Sequence, residues 1–228
     1  MKTQIRHWIL SVGAALALTG TPLGRAQGFI NLNFESANIV PIPGDPAGRV
    51  QFGPAFPGWT AYYNSSPLSS TDPVNFNNLN LGTAAIGLLN SVSPFGGSIS
   101  NHTAVLQGSS IINGTTVTLA QAGLVPAGTL SLRFQGANFG PSLFVSLNGQ
   151  PLNLGILQDF GSYREYGADI SAFAGQNAEL RFVKAPISGD LYFDNISFSP
   201  IAVPEPTTWA LLGLGSALLC CGARRRRK

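Results

Sequence analysis

Within residues 29–202 apolar side chains recur at every second position over several short stretches, and no stretch sustains a helical spacing. Ile30, Leu32 and Phe34 alternate with Asn31, Asn33 and Glu35, and Leu130, Leu132 and Phe134 alternate with Ser131, Arg133 and Gln135. Alternation of this kind gives a strand one buried and one solvated face. Residues 143–147, the dipeptide Asn148-Gly149 and residues 152–154 read as a hairpin, because Asn-Gly suits a turn twisted like its strands. Residues 179–183 and 190–198 add further strands, and Asp169 can cap one short turn near residues 171–174. The Pro- and Gly-rich residues 41–58 and the Ser- and Asn-rich residues 65–80 read as long surface loops. No internal repeat is present. This pattern predicts an all-β fold, an antiparallel β-sandwich of jelly-roll type.

Both ends have a different character. Lys2 and Arg6 precede an apolar stretch over residues 8–18, with small residues near Ala26. This is the order of parts in a signal peptide, and residues 1–28 are assigned to one that is removed on export. At the other end, the uncharged residues 207–223 lie between Val203-Pro204-Glu205-Pro206 and Arg224-Arg225-Arg226-Arg227-Lys228. That length is the lower limit for one transmembrane helix, and the basic flank behind it is a membrane stop held on the cytoplasmic side. The expected organisation is a signal peptide (1–28), a β-sandwich ectodomain (29–199), a spacer with the Pro-Glu-Pro motif (200–206), a transmembrane helix (207–223) and a basic cytoplasmic end (224–228).

With the ends set aside, the charge changes sign. The whole chain carries a formal +3, but residues 29–202 hold five cations (Arg49, Arg133, Arg164, Arg181 and Lys184) against nine acids. A domain near −4 offers nothing to a nucleic-acid backbone, so that class of partner is excluded. Both cysteines, Cys220 and Cys221, lie in the apolar tail, so the domain has neither a disulfide nor a thiol nucleophile.

The tripeptide, the apolar run and the basic end, in that order, resemble the PEP-CTERM sorting tail of Gram-negative bacteria. The resemblance implies a membrane protease-transpeptidase of the exosortase type that recognises Pro204-Glu205-Pro206. It also implies passage through the secretion machinery, a transient stay in the inner membrane, and release to the cell surface or exopolysaccharide matrix. The alternative is an ordinary single-pass anchor.

A second, looser resemblance rests on Asn33-Phe34-Glu35, Pro57-Gly58-Trp59, residues 124–130, residues 169–176, Leu180-Arg181-Phe182 and Phe193-Asp194-Asn195-Ile196. These are similar in order to motifs of jelly-roll carbohydrate-binding modules. In such modules the first and last strands lie together, and acids at these positions help to hold a structural calcium ion; Glu35 and Asp194 are the matching residues. One local feature supports Asp194. Leu191 and Phe193 share a strand face, yet the next apolar residues are Ile196 and Phe198, a phase slip that implies a bulge at Asp194-Asn195. The alternative is a solvated Glu35 and an Asp194 that binds turn amides.

Sugar binding needs flat apolar rings flanked by polar groups. Trp59, Tyr62 and Tyr63 form one aromatic group, Tyr163 and Tyr166 another, with Asn64 and Arg164 close by. The alternative is that these rings pack inside the sandwich. Catalysis is poorly provided for: His102 is the single histidine of the domain, and Glu165, Asp169 and Glu179 show no pairing that spacing can test. The reading is a non-enzymatic surface or matrix protein, with a specific carbohydrate-binding module and a small extracellular hydrolase as the alternatives.

Overall fold

The computed structural model describes residues 28–79, 83–93, 98–108, 114–138, 142–187 and 189–204. In chain order their strands are β1 (Val50–Gln51), β2 (Thr60–Tyr63), β3 (Ser66–Pro67), β4 (Pro73–Phe76), β5 (Ala85–Asn90), β6 (His102–Gly108) and β7 (Val117–Leu124). There follow β8 (Ser131–Ala137), β9 (Leu143–Leu147), β10 (Gln150–Pro151), β11 (Gly155–Asp159), β12 (Arg164–Asp169), β13 (Asn177–Lys184) and β14 (Gly189–Ser199). The larger sheet runs β1-β4-β5-β6-β14-β8-β12-β11 and the smaller β10-β9-β13-β7-β2-β3.

Alternation along each strand supplies the core between the sheets. Leu180 and Phe182 of β13 share one core with Ile86, Leu106, Phe134 and Phe193 of the larger sheet. Phe182 joins the two layers, stacking on Phe193 at 4.2 Å and meeting Phe134 edge-on at 5.2 Å. Each such buried ring contributes about 1.5–3 kcal/mol through the water it excludes. The Asn148-Gly149 turn forms as predicted, with φ of 51° and 79°, but the returning strand is Gln150–Pro151 rather than residues 152–154. Asp169 accepts from the Ser171 amide at 2.8 Å and starts a single 3-10 turn over Ser171–Phe173.

Four expectations need correction. Ile30 to Glu35 do not form a strand: Asn31 and Phe34 take positive φ (50° and 55°) and the chain turns. The side-chain amide of Gln121 replaces a neighbouring strand there, accepting from the Ile30 N–H at 2.6 Å and donating to its carbonyl at 3.0 Å. The two supposed loops hold short elements, namely β1, β3, β4 and one helical turn over Phe52–Ala55. The pairing is not wholly antiparallel, because β4 and β5 run parallel, with Phe76 opposite Leu88. Parallel neighbours of this kind cannot be joined by a tight hairpin.

The fourth correction concerns the membrane helix in the expected fold class. No helix among the described residues is long and apolar enough to cross a membrane, and those residues form a two-sheet, all-β architecture. The run at 207–223, the basic residues 224–228 and residues 1–27 of the expected signal peptide lie outside the described residues.

Candidate functional site

The phase slip read at Asp194-Asn195 is a bulge. The β8–β14 register shifts between Asp194 and Ser197, and Asn195 takes a φ of 50°. The bulge leaves Asp194 with no solvent exposure. The turn at residues 31–36 hangs on the same strand, where the Ile196 N–H donates to the Leu32 carbonyl at 3.0 Å. Phe34 drives the turn inward, fully buried against Phe56, Trp59 and Phe193. Its neighbour Glu35 is thereby brought to the rim above Asp194.

One hydroxyl links the two acids. Ser100 Oγ lies 2.7 Å from Glu35 Oε1, 2.5 Å from Asp194 Oδ2 and 3.0 Å from the His102 carbonyl oxygen. A serine hydroxyl has a single hydrogen, so three acceptors converge on one donor. Thr103 Oγ1 donates to Asp194 Oδ2 at 3.1 Å, and the Asn195 N–H donates to Asp194 Oδ1 at 2.6 Å. The His102 N–H donates to Glu35 Oε1 at 3.0 Å, and its ring Nδ1 lies 3.4 Å from Glu35 Oε2.

The two carboxyls respond in opposite directions. Burial pushes Asp194 up to about 6, against its bonds from Ser100, Asn195 and Thr103, and the nearby Glu35 charge adds to the rise. Burial also raises Glu35, but bonds from Ser100 and from the His102 backbone and ring outweigh it and hold that carboxyl below its usual range. Sequence reasoning found both acids and the bulge. It missed Ser100 and Thr103, whose only local signal is a run of small polar residues between 98 and 103.

The aromatic candidates separate. Trp59 is 5 % exposed, stacked on Phe34, and spends its indole N–H on the Asn31 carbonyl at 3.1 Å. Tyr166 is likewise buried, stacked on Phe134 at 5.5 Å. Neither offers a ring face to solvent. Tyr62 is half-buried with the Arg181 guanidinium 5.3 Å from its ring centre. Tyr63 accepts from the Ile86 N–H at 3.2 Å and lines a cleft of about 410 Å³ with Arg49, Asp72 and Asn75. Tyr163 stacks on the exposed Phe160 at 4.9 Å and, with Arg164, Asn138 and Ser162, borders a polar cleft of about 250 Å³.

The residues considered for hydrolysis are each engaged elsewhere. Glu165 faces Arg133 at 3.8 Å, Glu179 pairs with Arg181 at 2.8 Å, Asp169 caps a turn and His102 sits on Glu35. Among the described residues no group of three or more histidine, cysteine or acidic side chains gathers to hold a metal ion.

Of the sorting motif, Val203 and Pro204 are described, while Glu205 and Pro206 lie outside the described residues. The Ile201 carbonyl accepts from Ser131 Oγ at 2.6 Å and from Arg133 Nη2 at 3.4 Å, and Val203 rests over Gly167. Pro204 is exposed.

No curated protein matches the sequence. Among solved structures, the enzymatically active domain of bacteriophage CBA120 tailspike protein 4 is similar over 61 % of this chain and 19 % of its own, at 15 % identity and a TM-score of 0.36. The carbohydrate-binding module TmCBM61, solved in complex with β-1,4-galactotriose, is similar over 75 % of this chain and 95 % of its own, at 11 % identity and a TM-score of 0.36. The mannan-recognising module TmCBM27 gives 70 % and 96 % coverage, 14 % identity and a TM-score of 0.31. Likenesses this distant carry nothing about what this chain binds. The C-terminal match is of another kind: residues 202–228 match the PEP-CTERM protein-sorting motif, so this chain carries a sorting signal of the type that exosortases act on.

Proposed function

We propose that this chain is a non-enzymatic, exported cell-surface protein whose sorting signal is processed by an exosortase, leaving the β-sandwich as a structural or adhesive module at the surface or in the exopolysaccharide matrix. The match of residues 202–228 to the sorting motif carries this reading. The engagement of Glu165, Asp169, Glu179 and His102 in structural contacts supports the non-enzymatic part. Intact mass and cell fractionation in an exosortase-competent host test it, with a Pro204→Ala/Glu205→Ala/Pro206→Ala variant alongside. Wild type is expected to lose its C-terminal segment and reach the surface, and the variant to keep it. Equal processing of the two would sink the reading.

The Glu35 and Asp194 cluster is proposed to hold a structural calcium ion. Two carboxylates, a hydroxyl and the His102 carbonyl are hard oxygen donors of the kind this ion takes, and three of their acceptor atoms already compete for one hydrogen. Glu35, Ser100, Asp194 and the His102 carbonyl would hold it, and its charge would stabilise the ionised form of the buried Asp194. With only two acids the site suits the weak affinities of extracellular modules, roughly 0.1–1 mM.

A second reading makes the polar cleft beside Tyr163 and Arg164 a polysaccharide contact, since it sets an aromatic ring beside a guanidinium and an amide in an open, polar hollow. Retention on immobilised bacterial exopolysaccharide, lost on Tyr163→Ala with the fold intact, supports it. Retention that is absent in wild type counts against it.

A further inference from the structure

We infer that the sandwich has a built seat for the segment immediately before the sorting motif, and that this seat restrains processing of the motif. The inference rests on the exosortase reading above. Gly155 and Gly167 stand opposite each other on β11 and β12, so the outer face of the larger sheet there is a trough without side chains. Val203 fills it. A Cβ added at Gly167 would lie 2.9 Å from Val203 Cγ2 and 2.7 Å from Leu157 Cδ1, too close for either to stay in place. Gly167 has no positive φ that would demand glycine, so it is the space that requires the missing side chain.

Polar contacts hold the same segment two residues earlier. Ser131 Oγ and Arg133 Nη2 both donate to the Ile201 carbonyl, and the Ile201 N–H donates to Ser199 Oγ at 3.1 Å. Ser131 is on the outer sheet face yet has no solvent exposure. Arg133 is steadied for its part, with Nε on Ser131 Oγ at 3.2 Å and Nη1 near Glu165 at 3.8 Å. Proteases bind substrate as an extended strand, through backbone groups on both sides of the cleavage point. Ile201 has committed both of its backbone groups, the carbonyl to Ser131 and Arg133 and the N–H to Ser199, and Pro204 follows Val203 with no intervening slack. A protease must therefore wait for the segment to leave its seat, and its rate follows the fraction of time spent undocked.

The test is pulse-chase conversion of full-length precursor in an exosortase-competent host, for wild type, Ser131→Ala, Gly167→Ala and a variant with four Gly/Ser residues inserted between Val203 and Pro204. Each change is expected to speed conversion, Ser131→Ala by about fivefold, the factor that one lost hydrogen bond of ordinary strength supplies. Gly155→Ala is the control: its Cβ would lie 4.0 Å from Val203 Cγ1, an ordinary contact, and its rate should match wild type. Ser131→Thr keeps the hydroxyl and should restore the slow rate. Unchanged or slower conversion in the insertion variant and both substitutions overturns the inference, even if one substitution impairs folding. Should wild type not be processed at all, the sorting reading fails instead. Hydrogen exchange of the full chain in detergent then decides the seat: faster exchange at the amides of residues 201–203 in Ser131→Ala and Gly167→Ala supports it, and unchanged exchange overturns it.

Discussion

Two segments far apart in sequence are tied to the larger sheet by opposite means. The turn at residues 31–36 is held by Phe34 in the core and by two acids that converge on the single hydrogen of the Ser100 hydroxyl. The segment at 201–203 is held by a neutral hydroxyl, a guanidinium and a hollow left by two glycines. The first tie contains a buried carboxyl whose charge depends on pH and on any cation nearby. The second contains no buried titrating group, and its strength is that of a few ordinary contacts. A tie that anchors the fold and a tie that must release for a protease therefore differ in what they bury, rather than in how many contacts they make.

The largest effect that separates them is burial. Phe34→Ala should cost about 3–5 kcal/mol in urea unfolding, as for other buried aromatic residues. Val203→Ala should cost on the order of 1 kcal/mol or less, since Val203 is only partly covered. Comparable losses for the two would show that the C-terminal segment belongs to the core and would contradict a releasable seat.

Next in size is the response to pH and calcium. Asp194 has a folded pKa of about 6, raised above its ordinary 3.8, so it favours the folded state only while protonated. Its contribution is present below the unfolded value and is lost as pH rises from about 4 to about 6, on the order of 3 kcal/mol. Glu35 acts with the opposite sign: its folded pKa is lowered, so its contribution is present above its ordinary value and is lost as pH falls. Millimolar calcium should therefore raise the melting temperature at pH 7 and do little at pH 4. Asp194→Asn should abolish the calcium response and flatten the decline between pH 4 and 6. An equal calcium effect in wild type and Asp194→Asn would remove the metal proposal.

The smallest effect lies on the exposed surface. Arg164 pairs with Asp159 at 2.7 Å, but both side chains are about half exposed (47 % and 50 %), and water screens such pairs. Arg164→Ala should leave the melting temperature unchanged and alter only polysaccharide retention. A clear loss of stability would mean that the cleft beside Tyr163 is structural.

Much of the sandwich was legible because strand alternation is local. The alternation at Leu130 to Gln135, at Glu179 to Val183 and at Asp190 to Phe198 marks β8, β13 and β14, and Asn148-Gly149 marks its hairpin. The bulge at Asp194 was legible for the same reason, since a bulge shifts the phase of its own strand. Ile30 to Glu35 misled by that very rule: the alternation is present, but the partner for Ile30 is the side chain of Gln121, 91 residues away. Trp59 misled through composition, because a ring near two tyrosines looks the same in sequence whether its face meets a sugar or Phe34.

The sequence by itself determined the β periodicity, the hairpin turn, the bulge at Asp194 and the sorting motif. Each depends on residue order within a few positions, where geometry follows directly from spacing. Only the tertiary structure decided that Ser100 stands between the two acids, that Trp59 is core, and that Val203 lies in a glycine trough between β11 and β12. Those facts are contacts between segments many residues apart, and the free energy that selects them comes from packing the two sheets together, which no local pattern encodes.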